Sequence, residues 1–125
     1  MENKKTILVV EDDTPLRNAL CDKFGREGFA VLEAKNGEEG LGVALHEHPD
    51  LIMLDIIMPV MDGMTMLKKL REDYWGNNVP VIILTNLSSD HEAVEAFKNL
   101  AYDFIVKSNY KINDLVKIIK EKLDI

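Results

Sequence analysis

The stretch Asp50–Pro59, DLIMLDIIMP, places a carboxylate, Asp55, directly after four consecutive apolar residues. An apolar run of this length, bounded by polar and turn-forming residues, is typical of a strand buried on both faces of a parallel sheet. A buried charge is costly unless it has a partner or a metal ion, so the position of Asp55 requires a chemical reason. The stretch therefore predicts a central strand with a functional carboxylate at its end.

Apolar runs and helical patterns alternate on both sides of this strand. Together with 51–55, four further runs predict strands at 6–10, 29–34, 81–85 and 103–107. Five amphipathic segments predict helices at 15–24, 36–48, 64–73, 89–100 and 112–123. The pair Asn36–Gly37 is interpreted only as a turn. Strict alternation of strand and helix favours an α/β fold, with a five-stranded, mostly parallel sheet covered by helices on both faces.

Length and composition limit the possible functions. The chain has 125 residues, of which 46% are hydrophobic, enough for a single domain, 1–125, with its own core. Its 15 basic and 22 acidic residues give a net charge of −7, which disfavours direct nucleic-acid binding because phosphate contacts need a basic face. No apolar run is long enough to cross a bilayer, and no signal-peptide pattern is present. With Cys21 as the single cysteine, we expect a cytoplasmic protein.

Polar side chains follow the apolar runs of four predicted strands. They are, in chain order, Glu11, Asp12, Asp13, Asp55, Thr85 and Lys107. Each has an ordinary explanation when it is taken alone, such as a helix cap or a surface charge. Because the carboxyl ends of parallel strands share one edge of the sheet, we expect the whole set to meet there. The sequence therefore predicts a site at this edge.

The residue types in this set indicate the chemistry. Clustered carboxylates repel one another and need a cation, and oxygen donors without His or Cys suit Mg²⁺ or Ca²⁺. A carboxylate beside a metal ion and an ammonium group can act as a nucleophile and form an aspartyl phosphate. Asp55 would be that nucleophile, while Thr85 and Lys107 would meet the charge on the phosphoryl oxygens.

With these residues in view, the chain resembles the receiver domains of bacterial two-component response regulators, including the single-domain chemotaxis regulator. The matching segments are ILVVEDD, PDLIMLDIIMPVMDG, PVIILT and YDFIVK, and the resemblance covers essentially the whole chain. It implies a doubly wound, flavodoxin-like (βα)5 fold. It also implies a phosphorylation-activated signalling switch that is not an enzyme, although it assists its own phosphorylation and dephosphorylation.

The resemblance assigns roles around the acceptor. Asp55 is implied to be the phosphorylated aspartate. Asp12 is implied to contact Mg²⁺ directly, and Glu11 to act as its partner. The backbone carbonyl of Ile57 is implied to be the third protein ligand of the ion. Asp13 is left outside this set, at the start of the first helix.

The resemblance also implies how the signal travels. Lys107 would pair with the phosphoryl group, and Thr85 and Phe104 would form the switch. The phosphoryl group would come from a sensor histidine kinase or a histidine phosphotransfer protein. The output would pass to a downstream protein, or to a second copy of the chain, through the face formed by the fourth predicted helix, the fifth strand and the fifth helix.

Several positions differ from the usual pattern of the family. Ser108 stands after Lys107 where proline is usual, and Asn86 stands after Thr85 where a small residue is usual. These differences leave open a receiver fold that binds proteins independently of phosphate. Asn86 would narrow the mouth of the site. Ile57 and Leu87 flank the path of the attacking water in the family, and since both are apolar we expect slow self-dephosphorylation.

A third interpretation is a Mg²⁺-dependent phosphohydrolase that also forms an aspartyl phosphate. Such enzymes carry a second acid two residues after the nucleophile, where this chain has Ile57. The chain also lacks the GxxxxGK[ST] and GxGxxG patterns of nucleotide-binding loops. The sequence thus favours the signalling interpretation over the enzymatic one.

Overall fold

The computed structural model describes residues 4–56, 58–85, 103–106 and 111–125, with the backbone alone at Thr85 and 103–106. The strands are β1 (Thr6–Val10), β2 (Ala30–Ala34), β3 (Leu51–Leu54), β4 (Val81–Thr85) and β5 (Asp103–Val106). The helices are α1 (Thr14–Arg26), α2 (Gly37–Glu47), α3 (Gly63–Glu72) and the C-terminal helix (Ile112–Leu123). The predicted helix at 89–100 lies outside the described residues.

The five strands form one sheet in the order β2-β1-β3-β4-β5, and every neighbouring pair is parallel. The chain moves outward from β1 to β2, returns to β3, and then continues outward in the other direction. The order therefore reverses between β1 and β3, and a crevice forms where the carboxyl ends of these two strands meet. The five-stranded parallel sheet predicted from the sequence is confirmed.

Side chains that alternate along the strands form a core on each face of the sheet. On one face, Leu8, Val10, Ile52 and Leu54 pack with residues of α2 and α3. On the other face, Ile7, Val9, Leu51 and Met53 pack with residues of α1 and the C-terminal helix. The central strands are buried on both faces, which explains why their sequences are continuous apolar runs. Helices on both faces make the fold doubly wound, as predicted.

Polar side chains set the first residues of the helices that follow β1, β2 and β3. Asp13 Oδ2 accepts a hydrogen bond from the Leu16 amide of α1 at 3.2 Å. Asn36 Oδ1 and Asp62 Oδ1 accept equivalent bonds at the start of α2 and α3, each at 2.8 Å. These are N-cap bonds, which satisfy amides that have no partner inside the helix. The prediction that Asp13 belongs to the start of the first helix is confirmed.

The predicted element boundaries needed small corrections. α1 continues to Arg26, beyond the predicted end at residue 24, and Gly28 then adopts a positive φ of 96°. α2 ends at Glu47 because His48 adopts a left-handed conformation with φ of 50°. None of the helices in the described ranges is long and apolar enough to span a bilayer.

Candidate functional site

Three carboxylates meet where β1 and β3 end. One carboxylate oxygen from each of Glu11, Asp12 and Asp55 lies within 4.8 Å of the other two. Glu11 and Asp55 are 2% and 6% exposed, whereas Asp12 is exposed to solvent. Among the described residues, this is the one group of three or more His, Cys, Asp or Glu side chains close enough to hold a metal ion. The structure thus brings together the three acids that the sequence placed at the strand ends.

Backbone hydrogen bonds hold the two buried acids at the edge of the sheet. The Glu11 amide donates to the Ala34 carbonyl of β2, and the Asp55 amide donates to the Val10 carbonyl of β1, both at 3.0 Å. The parallel hydrogen-bond ladders therefore continue one residue beyond the strands. Each carboxylate starts from a backbone position that the sheet itself fixes, so little ordering remains to be done when a ligand binds.

The turn between β1 and α1 has two further restraints. Arg17 Nη1, one turn into α1, donates a hydrogen bond to the Glu11 carbonyl at 2.9 Å. Glu11 Oε2 accepts a hydrogen bond from the Asp13 amide at 3.2 Å. Arg17 was not predicted as a site residue, and its signal in the sequence is an arginine six residues after the first acid. Its guanidinium places a positive charge at the peptide that joins Glu11 to Asp12.

The loop after Asp55 packs closely against its neighbours through two glycines. The Gly63 amide donates to the Ile56 carbonyl at 2.8 Å, and a Cβ atom at Gly63 would overlap the Asp55 carbonyl oxygen. The Gly37 amide donates to the Met61 carbonyl at 2.9 Å, and a Cβ atom at Gly37 would overlap that oxygen. The interpretation of Asn36–Gly37 as only a turn was therefore wrong. The pair begins α2, and the Gly37 amide binds the loop that follows Asp55.

Val60, in the same loop, has an unfavourable backbone conformation. Its φ is +69°, and its side chain is 74% exposed. A β-branched residue rarely adopts positive φ, because its Cβ substituents crowd the backbone. Backbone strain of this kind costs on the order of 1–3 kcal/mol and is common near functional sites. The loop after Asp55 therefore contains backbone strain at Val60. Because the Val60 side chain is exposed, hydrophobic burial does not compensate for this strain.

The single thiol of the chain is a poor competitor for the role of nucleophile. Cys21 is half-buried on α1. Burial, together with the nearby Glu33 carboxylate, raises the pKa of its thiol to about 11. A thiol with such a pKa is protonated at neutral pH and reacts slowly. Asp55, held at the strand end beside two other carboxylates, remains the predicted nucleophile.

The acid cluster fits a hard divalent cation. All its donors are carboxylate oxygens, which suit Mg²⁺ and Ca²⁺ rather than metals that prefer nitrogen or sulfur. In an octahedral Mg²⁺ site, neighbouring ligand oxygens are about 3.0 Å apart and opposite ones about 4.2 Å. The oxygens of Glu11, Asp12 and Asp55 lie within 4.8 Å of one another, so they would have to move closer together to contact one ion directly.

Two further predicted site residues, Thr85 and Phe104, belong to the other half of the sheet. Thr85 is the last residue of β4, which pairs with β3, and the register places Thr85 opposite Val106 at the end of β5. Phe104 lies within β5, opposite Ile83 of β4. Four predicted site residues lie outside the described residues: Ile57, Asn86, Leu87 and Lys107. The Lys107–Ser108 bond lies outside them as well.

Comparison with known proteins identifies the family. A family model for the response regulator receiver domain matches residues 7–120. The chain belongs to this family. The receiver chain is 36% identical over 105 residues to a probable transcriptional regulator ycf27 of Cyanophora paradoxa, covering 84% of this chain and 43% of that protein. It is 39% identical over 118 residues to a protein-glutamate methylesterase/protein-glutamine glutaminase of Archaeoglobus fulgidus, covering 92% of this chain and 33% of that protein.

A solved structure agrees with this assignment. The receiver domain of the Francisella response regulator 1452 superimposes with a TM-score of 0.87 at 30% identity, covering 97% of this chain and 98% of that one. The receiver chain spans less than half the length of the two curated relatives. The family resemblance stated from the sequence is confirmed, and the chain is a receiver domain of the two-component response regulator family.

Proposed function

We propose that this receiver domain, residues 1–125, accepts a phosphoryl group on Asp55 from a phosphohistidine of a sensor histidine kinase or histidine phosphotransfer protein. The observation that carries the proposal is the convergence of Glu11 and Asp12 on Asp55, with one oxygen of each within 4.8 Å of the others. A structural role alone does not require three like charges at the end of a buried strand. The same interpretation places the domain in the cytoplasm, where such donors carry their phosphohistidine.

The transfer is a displacement at phosphorus. A carboxylate oxygen of Asp55 forms a bond to phosphorus while the phosphorus–nitrogen bond of the donor histidine breaks. The imidazole keeps the electron pair of the broken bond and takes up a proton from solvent. Asp55 starts from a fixed backbone position, because its amide is bonded to the Val10 carbonyl at 3.0 Å. This preorganisation lowers the entropy cost of reaching an in-line geometry.

Glu11, Asp12 and Asp55 would hold Mg²⁺, with the Ile57 carbonyl as a further ligand. When bound, Mg²⁺ supplies positive charge that compensates the negative charge on the phosphoryl oxygens. One oxygen of the Asp55 carboxylate would be available to the ion, and the other would accept the phosphoryl group. The buried position of Glu11 keeps solvent from one side of the cluster and strengthens its electrostatic interactions.

Groups on β4 and β5 would respond to phosphorylation of Asp55. Thr85 ends β4, the strand that pairs with β3, and it follows by two residues the Ile83 that pairs with Leu54. We assign the Thr85 hydroxyl and the Lys107 ammonium as donors to the phosphoryl oxygens, and Phe104 as the aromatic residue that moves with Thr85. Phosphorylation would then change the face formed by the segment 89–100, β5 and the C-terminal helix. That face would bind a downstream protein or a second copy.

The domain is assigned a role as a phosphoacceptor and no separate enzymatic activity. The Archaeoglobus fulgidus relative is named a methylesterase and glutaminase, but the matched region is 33% of that protein. The receiver chain would assist only its own phosphorylation and dephosphorylation. Because Ile57 and Leu87 are apolar and cannot orient a water molecule, we expect slow loss of the phosphoryl group.

The test is intact mass after incubation with acetyl phosphate, with and without Mg²⁺, for the wild type and for Asp55→Asn. We expect one added phosphoryl group that requires both Mg²⁺ and Asp55. A time course after removal of the donor measures self-dephosphorylation. No addition to folded protein that binds Mg²⁺ would instead support a phosphate-independent protein-binding module. Addition of a phosphoryl group to the Asp55→Asn variant would mean that another residue is the acceptor.

A further inference from the structure

A groove lies next to the amino-terminal end of β3, whereas the acidic site lies at its carboxyl end. Its volume is about 680 Å³, and it is lined by the end of α2, the residues before β3, and the loop between α3 and β4. Asp50 belongs to this lining and immediately precedes β3, whereas Asp55 follows β3. Five extended residues separate the two positions by about 16 Å. The groove therefore takes no part in the proposed phosphoryl transfer.

Aromatic side chains form one wall of the groove. The rings of Trp75 and His48 stack with centroids 4.3 Å apart and planes within 9°. The Trp75 amide donates to Asp73 Oδ2 at 2.9 Å, which fixes the backbone that carries the indole. The adjacent Tyr74 is 99% exposed, so its ring has no packing role in the domain. Exposed aromatic rings beside a groove are typical of binding surfaces.

The groove is acidic as well as aromatic. Within the described part of the chain, its lining has three carboxylates and one guanidinium. The carboxylate residues are Asp50, Glu72 and Asp73. The guanidinium belongs to Arg71, whose Nη1 donates to the Gly76 and Val79 carbonyls at 2.8 Å each. Asp50 and Asp73 likewise accept hydrogen bonds from the backbone amides of Thr6, Trp75 and Gly76. Hydrogen bonds to neutral backbone groups leave these charges in place, so the lining carries three negative charges and one positive charge.

We propose that this groove binds an arginine side chain on a basic segment of a partner protein. A guanidinium can stack on an aromatic ring and pair with a carboxylate at the same time, and the lining offers the exposed Tyr74 ring and the Glu72 carboxylate for these two contacts. A volume of about 680 Å³ accommodates such a side chain with its flanking residues. The net charge of −7 favours the approach of a basic partner over an acidic one. This binding is independent of the state of Asp55.

The experiment titrates the whole chain with a short glycine- and serine-based peptide that contains arginine. The same peptide with citrulline in place of arginine keeps the shape and removes the charge. Trp75 is the only tryptophan of the chain, so its fluorescence reports binding at the groove. Saturating Mg²⁺ is present throughout, so that the peptide does not occupy the acid cluster. The variants are Tyr74→Ala and Glu72→Gln, with Glu121→Gln on the C-terminal helix as a charge-matched control.

We expect the arginine peptide to change Trp75 fluorescence saturably and the citrulline peptide to have no effect. Tyr74→Ala and Glu72→Gln should each weaken binding about two- to fivefold, because each removes one exposed cation–aromatic or ion-pair contact. Glu121→Gln should leave the affinity unchanged. Equal weakening by Glu121→Gln and Glu72→Gln would overturn the proposal and indicate nonspecific attraction to an acidic protein. Equal binding of the two peptides, or no binding, would also overturn it.

Discussion

The amide of Gly37, the first residue of α2, donates a hydrogen bond to the carbonyl of Met61, in the loop that follows Asp55. The distance is 2.9 Å, and no side chain could be added at Gly37 without displacing that carbonyl. α2 is therefore joined directly to the loop that follows Asp55. Changes at the beginning of α2 should affect the site, although none of its side chains belongs to the acid cluster.

Gly37→Ala should destabilise the domain and impair phosphorylation. The new methyl group would push the Met61 carbonyl away and break its hydrogen bond, for an expected loss of about 1–3 kcal/mol in the free energy of unfolding. Urea unfolding measures this loss, and intact mass measures phosphorylation. Gly42→Ala is the matched control, because it lies in α2 with open space around it and should stabilise the helix by about 0.5–1 kcal/mol. Equal effects of the two variants would contradict this account.

Val60→Asn should stabilise the domain by about 1 kcal/mol, because asparagine tolerates positive φ far better than a β-branched residue. The valine side chain is 74% exposed, so its removal sacrifices little buried surface. The shift in the urea midpoint at unchanged slope measures the gain. Val60→Ala removes the β-branched side chain without introducing asparagine. It therefore measures how much of the gain in stability comes from the loss of branching alone. A loss of stability in Val60→Asn would mean that the valine makes contacts that outweigh the strain.

Mg²⁺ should raise the unfolding temperature of the wild type and have little effect on Asp12→Asn. At a free concentration of 100 times the Kd, binding to the folded state alone adds about 2.7 kcal/mol of stability. Without the ion, Asp12→Asn should be at least as stable as the wild type, since it removes repulsion among three close carboxylates. Thermal unfolding with and without Mg²⁺ tests both expectations. Glu38→Gln removes an exposed acid outside the cluster and should retain the full response to Mg²⁺.

Glu27 should make the stability of the domain depend on acid pH. Hydrogen bonds from Lys23 and Lys120 lower the pKa of this carboxyl below its ordinary value of 4.5. Since the folded pKa is the lower one, the contribution is complete above about pH 4.5 and is lost as the pH falls through the folded pKa. Glu27→Gln should thus be less stable than the wild type at pH 7, and the difference should shrink at pH 3.

Urea unfolding of both proteins at the two pH values measures this difference. The ammonium of Lys120 lies 3.4 Å from Glu27 Oε2 and joins the C-terminal helix to α1. Glu121→Gln, which changes an exposed acid on the same helix, should show no such dependence. A constant difference between Glu27→Gln and the wild type across the range would assign the effect of Glu27 to packing rather than to charge.

The parts of the fold that could be predicted from the sequence are those determined by short stretches of neighbouring residues. The side chains of a continuous apolar run such as 51–54 can all be buried only in a sheet that is covered on both faces. The position of β3 was therefore predictable. The acids after β1 and β3 were expected to meet, because parallel strands end at a common edge. Asp13 was recognisable as the start of α1, because a helix needs a side-chain acceptor there.

Other features arise from contacts between distant segments and leave no pattern in the sequence. The bond from Arg17 to the Glu11 carbonyl depends on how α1 lies against the end of β1. The bond from Gly37 to Met61 depends on how α2 lies against the loop that follows Asp55. Trp75 is a large residue for a loop, but the sequence does not identify His48 as the ring on which it stacks. Such partners become visible only when the backbone path is known.

The placement of the acids on β1 and β3 also has a consequence for folding kinetics. These two strands pair with each other, so the step that builds the centre of the core also forces three negative charges together. Charge repulsion therefore opposes the same strand association that the hydrophobic effect favours. A divalent cation bound by the three carboxylates, as proposed for Mg²⁺, would reduce this repulsion. Under that proposal the cation would assist the folding of the domain as well as its phosphorylation.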